Sequence, residues 1–242
     1  MQSLFPAVPA APGLAKARIF HHQAPMPRLA AQRSCRRCGR CCRLGGPALH
    51  AGDLPLVRDG RLGPESLVTL RRGQGVTDNV AGTVGPAAGE LVKLRPKPGA
   101  RACIFYRDPP ACAIHEASPV ECRALFCDDT GALAALYAVD RLTRADILDP
   151  ADPLAELCAH HEAETDLVRL ADLCRRAVAG DDAAREQARA VARFDAAFRE
   201  LLPKRLGLAP DTLPFYLGWP LAEALPILRA ALTPGGLYKR RP

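Results

Sequence analysis

The stretch Cys35-Arg-Arg-Cys38-Gly-Arg-Cys41-Cys42-Arg43 decides how this chain is read, because it places four thiols within eight residues. Packing a core does not call for that density. Two intervening residues let a tight turn aim both flanking sulfurs at one centre, and Gly39 can relax the backbone where its amide approaches sulfur. The adjacent pair Cys41-Cys42 is harder to place on one small ion. It points either to two metal centres or to one ligand beside one structural thiol.

Working outward, a second group follows at Cys103, Cys112, Cys122 and Cys127, with His115 and Pro119 between the second and third. Pro119 with Arg123 and Leu125 predicts a short helix or turn bearing Cys122 and Cys127. The Cys-x-x-Cys-x-x-Cys spacing of the first group also matches runs that wrap a cubane iron–sulfur cluster, completed by a distant thiolate. Eight thiols in two groups suit two four-thiolate sites, or one cluster plus a smaller ion. The metal is left open between iron–sulfur, with 4Fe-4S preferred, and zinc.

The chain has 242 residues with 48% hydrophobic composition, enough to bury a core. Ten cysteines would suit disulfides in an exported protein, but the N-terminus lacks the long uncharged apolar stretch of a secretory signal. A reduced, cytoplasmic setting is therefore expected. No run approaches the roughly 18 apolar residues of a membrane span, so no membrane partner is expected. The net charge of +7 is concentrated in residues 1–52, which hold Lys16, seven arginines and no acid. Such asymmetry suits a nucleic-acid partner at the basic N-terminal region. Arg36, Arg37, Arg40 and Arg43 also thread the cysteine run, where they would offset thiolate charge, and that reading is preferred.

Residues 1–33, Ala- and Pro-rich with His21 and His22, are expected to form a basic tail. Residues 34–130 are rich in Gly, Pro and Cys, with short helices expected over 53–58 and 64–72 and strands over 91–94 and 102–106. Residues 131–242 read as mainly helical, with helical spacing over 153–178, 182–202 and 221–232. The fold class expected is α+β: an irregular, metal-organised cysteine-cluster domain followed by a helical region. Cys158 and Cys174 lie in the helical pattern and read as core thiols. His160 and His161 read as helix-surface residues and Trp219 as a packing anchor. The sequence contains no Gly-rich phosphate loop, nucleophile elbow or zinc-protease histidine pair.

From Ser34 to Asp129 the chain resembles the YkgJ-like bacterial cysteine-cluster family, described as zinc- or iron-chelating domains. The likeness is carried by Cys35, Cys38, Cys41 and Cys42, the Cys103 segment, Cys112-Ala-Ile-His115 and Pro119-Val-Glu-Cys122-Arg123 with Cys127. Ser118 departs from an Arg common before the proline, and His115 from an aromatic. The resemblance implies eight cysteine ligands and a metal-binding protein, foremost iron–sulfur, with a redox, accessory or maturation role and an unspecified protein or redox partner. A zinc-stabilised module that binds nucleic acid or protein is the alternative, and a metal-dependent protein-modifying enzyme is the third reading.

Overall fold

The computed structural model describes residues 35–78 and 81–233, so the expected tail with His21 and His22 lies outside the described residues. Gly39 adopts a left-handed conformation (φ 72°) and starts α1 (Arg40–Leu44), which Gly45 ends at φ 141°. Gly39 is also needed for space, because a Cβ there would stand 2.7 Å from the Tyr106 ring. After a 3-10 turn at Ala51–Asp53 comes α2 (Leu54–Arg58), the helix expected from Asp53 onward.

The helix expected over 64–72 does not form. A 3-10 turn at Pro64–Ser66 leads instead into strand β1 (Leu67–Leu70). The hairpin β2 (Gly75–Asp78) and β3 (Thr83–Pro86) follows, and then β4 (Leu91–Leu94) pairs antiparallel with β1, Leu67 opposite Leu94 and Leu70 opposite Leu91. Leu-Val-Thr-Leu contains two β-branched residues and meets an apolar partner of equal length. That pairing outweighs the local helix punctuation of Pro64 and Gly73. The strand expected over 102–106 shrinks to β5 (Tyr106–Arg107), which pairs with β6 (Ala111–Cys112) so that Tyr106 faces Cys112. The short helices α3 (Val120–Ala124), α4 (Gly131–Leu136) and α5 (Arg144–Ile147) complete this part. Cys122 lies on α3, whereas Cys127 lies beyond its end.

Helical spacing is realised as α6 (Pro153–Glu164), α7 (Leu167–Val178) and α8 (Asp182–Leu206). Asp152, Asp166 and Asp181 cap them, each accepting a hydrogen bond from the first turn. The cap at Asp166 breaks the pattern expected to run through 153–178. Likewise Pro226 splits the expected 221–232 helix into α10 (Leu221–Ala224) and α11 (Ile227–Leu232), after α9 (Leu213–Leu217). The result is a mixed α/β chain with short antiparallel strands. Among the described residues no helix is long and apolar enough to cross a membrane.

One apolar cluster joins Leu49, Leu67 and Leu94 to Leu154, Cys158, Leu202 and Phe215, drawing on residues both before and after position 130. A second joins α7, α8 and α11 through Leu170, Cys174, Ala188 and Leu228. Cys158 and Cys174 are both buried, as the helical pattern predicts. Each fully buried Leu or Phe contributes roughly 1.5–3 kcal/mol from removed apolar surface, as an upper bound.

Between these clusters runs a lattice of buried charge. Arg71 is fully buried and donates to Glu162 at 2.6 and 3.0 Å, and to the Thr165 carbonyl at 2.9 Å. Arg144 donates to Glu90 and Glu162 and, at 2.5 Å, to the Tyr216 carbonyl. Gly218 (φ 69°) allows this approach, since a Cβ there would stand 2.8 Å from the Arg71 side chain. His161 departs from the surface reading: it is buried, with Nε2 2.8 Å from Asp195 Oδ1. Helical spacing explains the difference, because His161 falls three residues after Cys158 and seven after Leu154, on the same inward face. His160 is exposed.

Candidate metal centre

All ten cysteines are free thiols. Seven of the eight expected ligands line one cavity of about 70 Å³: Cys35, Cys38, Cys41 and Cys42 from the first group, and Cys112, Cys122 and Cys127 from the second. Cys103 is buried behind them and lines the adjoining groove together with Cys41, Cys42, Cys112 and Cys122. Its backbone N–H donates to the Cys42 carbonyl at 2.7 Å, which ties the two groups together.

The grouping in space differs from the grouping along the chain. Cys127 has Cys38, Cys41 and Cys35 as charged neighbours, whereas Cys42 has Cys41, Cys112 and Cys103. Cys122 joins the second set, beside Cys103 and Cys112. Cys41 and Cys42 stand at the boundary with their sulfurs 4.0 Å apart. The outer set is thus Cys35, Cys38 and Cys127, the inner set Cys103, Cys112 and Cys122, and the doublet spans both.

Thiol acidity cuts across this division, because Cys127 of the outer set is raised by desolvation and the Cys38 charge just as the inner thiols are raised. Burial, then the neighbouring Cys41 charge, pushes Cys42 up to about 12. Cys122 opens onto the cavity but is crowded by protein, so desolvation and then the charges of Cys103 and Cys112 raise its pKa strongly. The exposed Cys38 moves the other way, because the Arg40 backbone N–H bonds its sulfur and stabilises the thiolate. Raised thiol pKa values are what clustered sulfurs show when no cation neutralises them.

Three of the four arginines of the first run have side chains engaged locally. Arg36 pairs with Asp128 and lies 5.6 Å from the centre of the Phe126 ring. Arg37 Nη2 is 3.5 Å from His115 Nδ1, and its backbone N–H faces Cys35 Sγ at 3.4 Å. Arg43 lies 5.2 Å from the centre of the Tyr106 ring.

A clamp positions α3, and the sequence gives little sign of it. Asp53 Oδ1 accepts from the Val120 N–H at 2.8 Å, while Glu121 accepts from the Ala48 N–H at 2.9 Å and faces His50 Nε2 at 3.1 Å. Cys122 is therefore anchored through its two preceding residues to the segment that follows the first cysteine run. The signal that could have found this clamp is the capping-box spacing of His50 and Asp53.

The donor chemistry fits zinc or an iron–sulfur cluster, since all eight candidate atoms are soft sulfur. As placed, no three His, Cys, Asp or Glu side chains among the described residues stand close enough to hold a metal ion. The backbone has brought the thiols to one cavity, and a single χ1 rotation redirects a cysteine sulfur without moving the main chain. No protein-family model, curated protein or solved structure matches the chain.

Proposed function

We propose that the chain is a metal–thiolate protein of the cysteine-cluster type, holding an iron–sulfur cluster in the cavity bounded by Cys35, Cys38, Cys41, Cys42, Cys112, Cys122 and Cys127, with Cys103 behind it. The observation that carries this reading is the convergence on one cavity of seven thiols from segments some 70 residues apart. Oxidised pairs would satisfy cysteines singly, whereas a shared metal site needs them in one place. The outer and inner sets further suggest two adjacent centres, with Cys41 serving one and Cys42 the other.

A redox, accessory or maturation role suits the exposure of Cys35, Cys38 and Cys127, which leaves one side of the site open to a partner protein. Arg36, Arg37 and Arg43 support charge compensation over nucleic-acid binding, because each already faces a carboxylate, imidazole or aromatic ring at the site.

Purification without oxygen from iron-sufficient cells, followed by metal and sulfide analysis, tests the proposal. Brown protein with iron and sulfide is expected, since thiolate-to-iron charge transfer absorbs visible light. Colourless protein with stoichiometric zinc would favour the zinc-stabilised module, because zinc has a filled d shell. Protein free of both metals, with its thiols oxidised in cells, would overturn the reading.

A further inference from the structure

Beside the thiol cavity lies an open-sided groove of about 700 Å³, within the ordinary range of small-molecule sites. Its outer wall is α4 with the residues that follow, including Leu133 and Tyr137, and Leu44 stands at its edge 71% exposed. The run Gly131-Ala-Leu-Ala-Ala-Leu136 is entirely apolar, yet none of its residues is buried. Its glycine and alanines are exposed while Leu133 and Leu136 are half-buried, so this apolar helix is only partly covered beside a concave apolar surface.

Two carboxylate or ammonium groups enter the groove, and only one is free. Both oxygens of Glu121 are occupied, one by the Ala48 N–H and the other by His50 Nε2. His50 is itself held between two acceptors, with Nδ1 2.6 Å from the Val139 carbonyl, so it pairs with Glu121 as a cation. Lys93 projects from β4 into the same groove, and among the described residues nothing hydrogen-bonds its ammonium group. Loss of hydration pulls its pKa down, and the charges of Glu121 and Cys103 only partly offset this. Behind the Tyr137 wall, the Arg141 guanidinium stacks 4.1 Å from the ring centre and its buried Nε also lacks a partner. Lys93 and Arg141 Nε thus lack hydrogen-bond acceptors among the described residues, and a carboxylate bound at Lys93 would supply one and favour its charged form.

We propose that the groove binds a small apolar monocarboxylate, its head paired with Lys93 and its body laid against Leu44, Leu133 and Tyr137, within reach of the inner thiols. One ammonium point charge matches one carboxylate. A phosphate dianion calls instead for the arginine fork or backbone amides that usually hold it, and the one free charged side chain in the groove, among the described residues, is a single ammonium group. The groove shares five of its lining thiols with the proposed metal centre, but the carboxylate would be held by Lys93, Leu44, Leu133 and Tyr137, so the site goes beyond the metal reading.

Isothermal titration of the full chain with octanoate, octylammonium and octyl phosphate separates these roles, with metal per chain measured in parallel. Octanoate should bind at least about ten-fold tighter than the other two, as one charge-assisted hydrogen bond allows. Lys93→Met should weaken octanoate by a similar factor at unchanged metal content, and Lys93→Arg should retain most of the affinity. Because Lys93→Met changes a half-buried strand position, Leu133→Trp provides a second test: it fills the groove from the surface helix and should block octanoate with the unfolding midpoint unchanged. Equal binding of all three probes, or of none, would overturn the proposal. So would octanoate binding that survives Leu133→Trp, or a Lys93→Met protein that loses metal and keeps octanoate affinity.

Discussion

Arg71 and Arg144 are buried and share Glu162, with Glu90 completing the set, so cation and carboxylate meet where α6 of the helical region joins α5 and the segments that flank β1 and β4. Around the cysteines the opposite holds. Among the described residues Lys93 has no hydrogen-bond partner, the thiols of Cys42 and Cys122 are crowded by other sulfurs, and every helix from Arg40 to Ile147 has six residues or fewer. Helices that short are not stable by themselves, and two-stranded ladders are marginal in water. One region is held by apolar burial and by a charge lattice in which Arg71 Nη1 alone, among the described residues of that set, is buried without a partner. The other brings soft donors together on short elements, and under the proposed metal reading a bound cation would add to its stability.

The sharpest way to break this comparison is to remove one thiolate from each region. Structural zinc contributes an apparent ~10 to 16 kcal/mol in small peptides, comparable with the ~5 to 15 kcal/mol stability of a whole domain. Cys122→Ser should at least halve metal per chain and abolish hydrogen-exchange protection over residues 35–47 and 101–130, while α7 and α8 stay protected. Cys174→Ser, in the second apolar cluster, should cost only about 1–3 kcal/mol by burying a hydroxyl, with metal content intact. Metal loss in both variants would show that the helical region also supplies ligands.

A smaller but still large effect is expected on the other side. Arg144→Met leaves Glu90 and Glu162 short of a buried cation, and breaking a buried pair in this way costs about 3–5 kcal/mol. Arg193→Ala removes an exposed, solvent-screened pair with Glu186 and should leave the unfolding midpoint unchanged. Denaturant unfolding measures both. Metal per folded chain should stay constant, and a fall with Arg144→Met would mean that the two regions are not energetically separate.

These contrasts also explain what could be read from the sequence. Apolar periodicity located α7 and α8 because their stability comes from a face that repeats every 3.6 residues, and Cys158 and Cys174 were legible as core thiols for the same reason. It misled at Pro64–Arg72, where β1 depends on a partner more than 20 residues away. Cysteine spacing picked out the candidate donors but not their division, since Cys127 joins Cys35 and Cys38 only after the chain has folded. Lys93, Glu121 and Arg144 left no local trace. A charged residue on a strand or short helix usually reads as solvated, and its burial depends on contacts far along the chain.

The smallest expected effect is a pH dependence of opposite sign in the two regions. Burial lowers the pKa of His161, the bond to Asp195 only partly opposes this, and the buried Nδ1 has no partner to accept a second proton's bond. Its folded pKa thus lies below the unfolded value of about 6.5, and its contribution to stability is present above that pH and lost as pH falls. For His50 burial also disfavours the charge, but the acceptors Glu121 and Val139 outweigh it and raise the pKa. Its contribution is present below about pH 6.5 and lost as pH rises through the folded value. His50→Gln should therefore destabilise most near pH 5.5, and His161→Gln most near pH 8, by denaturant unfolding of each variant against the parent. Ring-proton titrations should place the His50 midpoint above that of His161. Destabilisation that changes in the same direction for both variants would mean that His50 is not held as a cation, and Glu121 would then be a second free charge facing the groove.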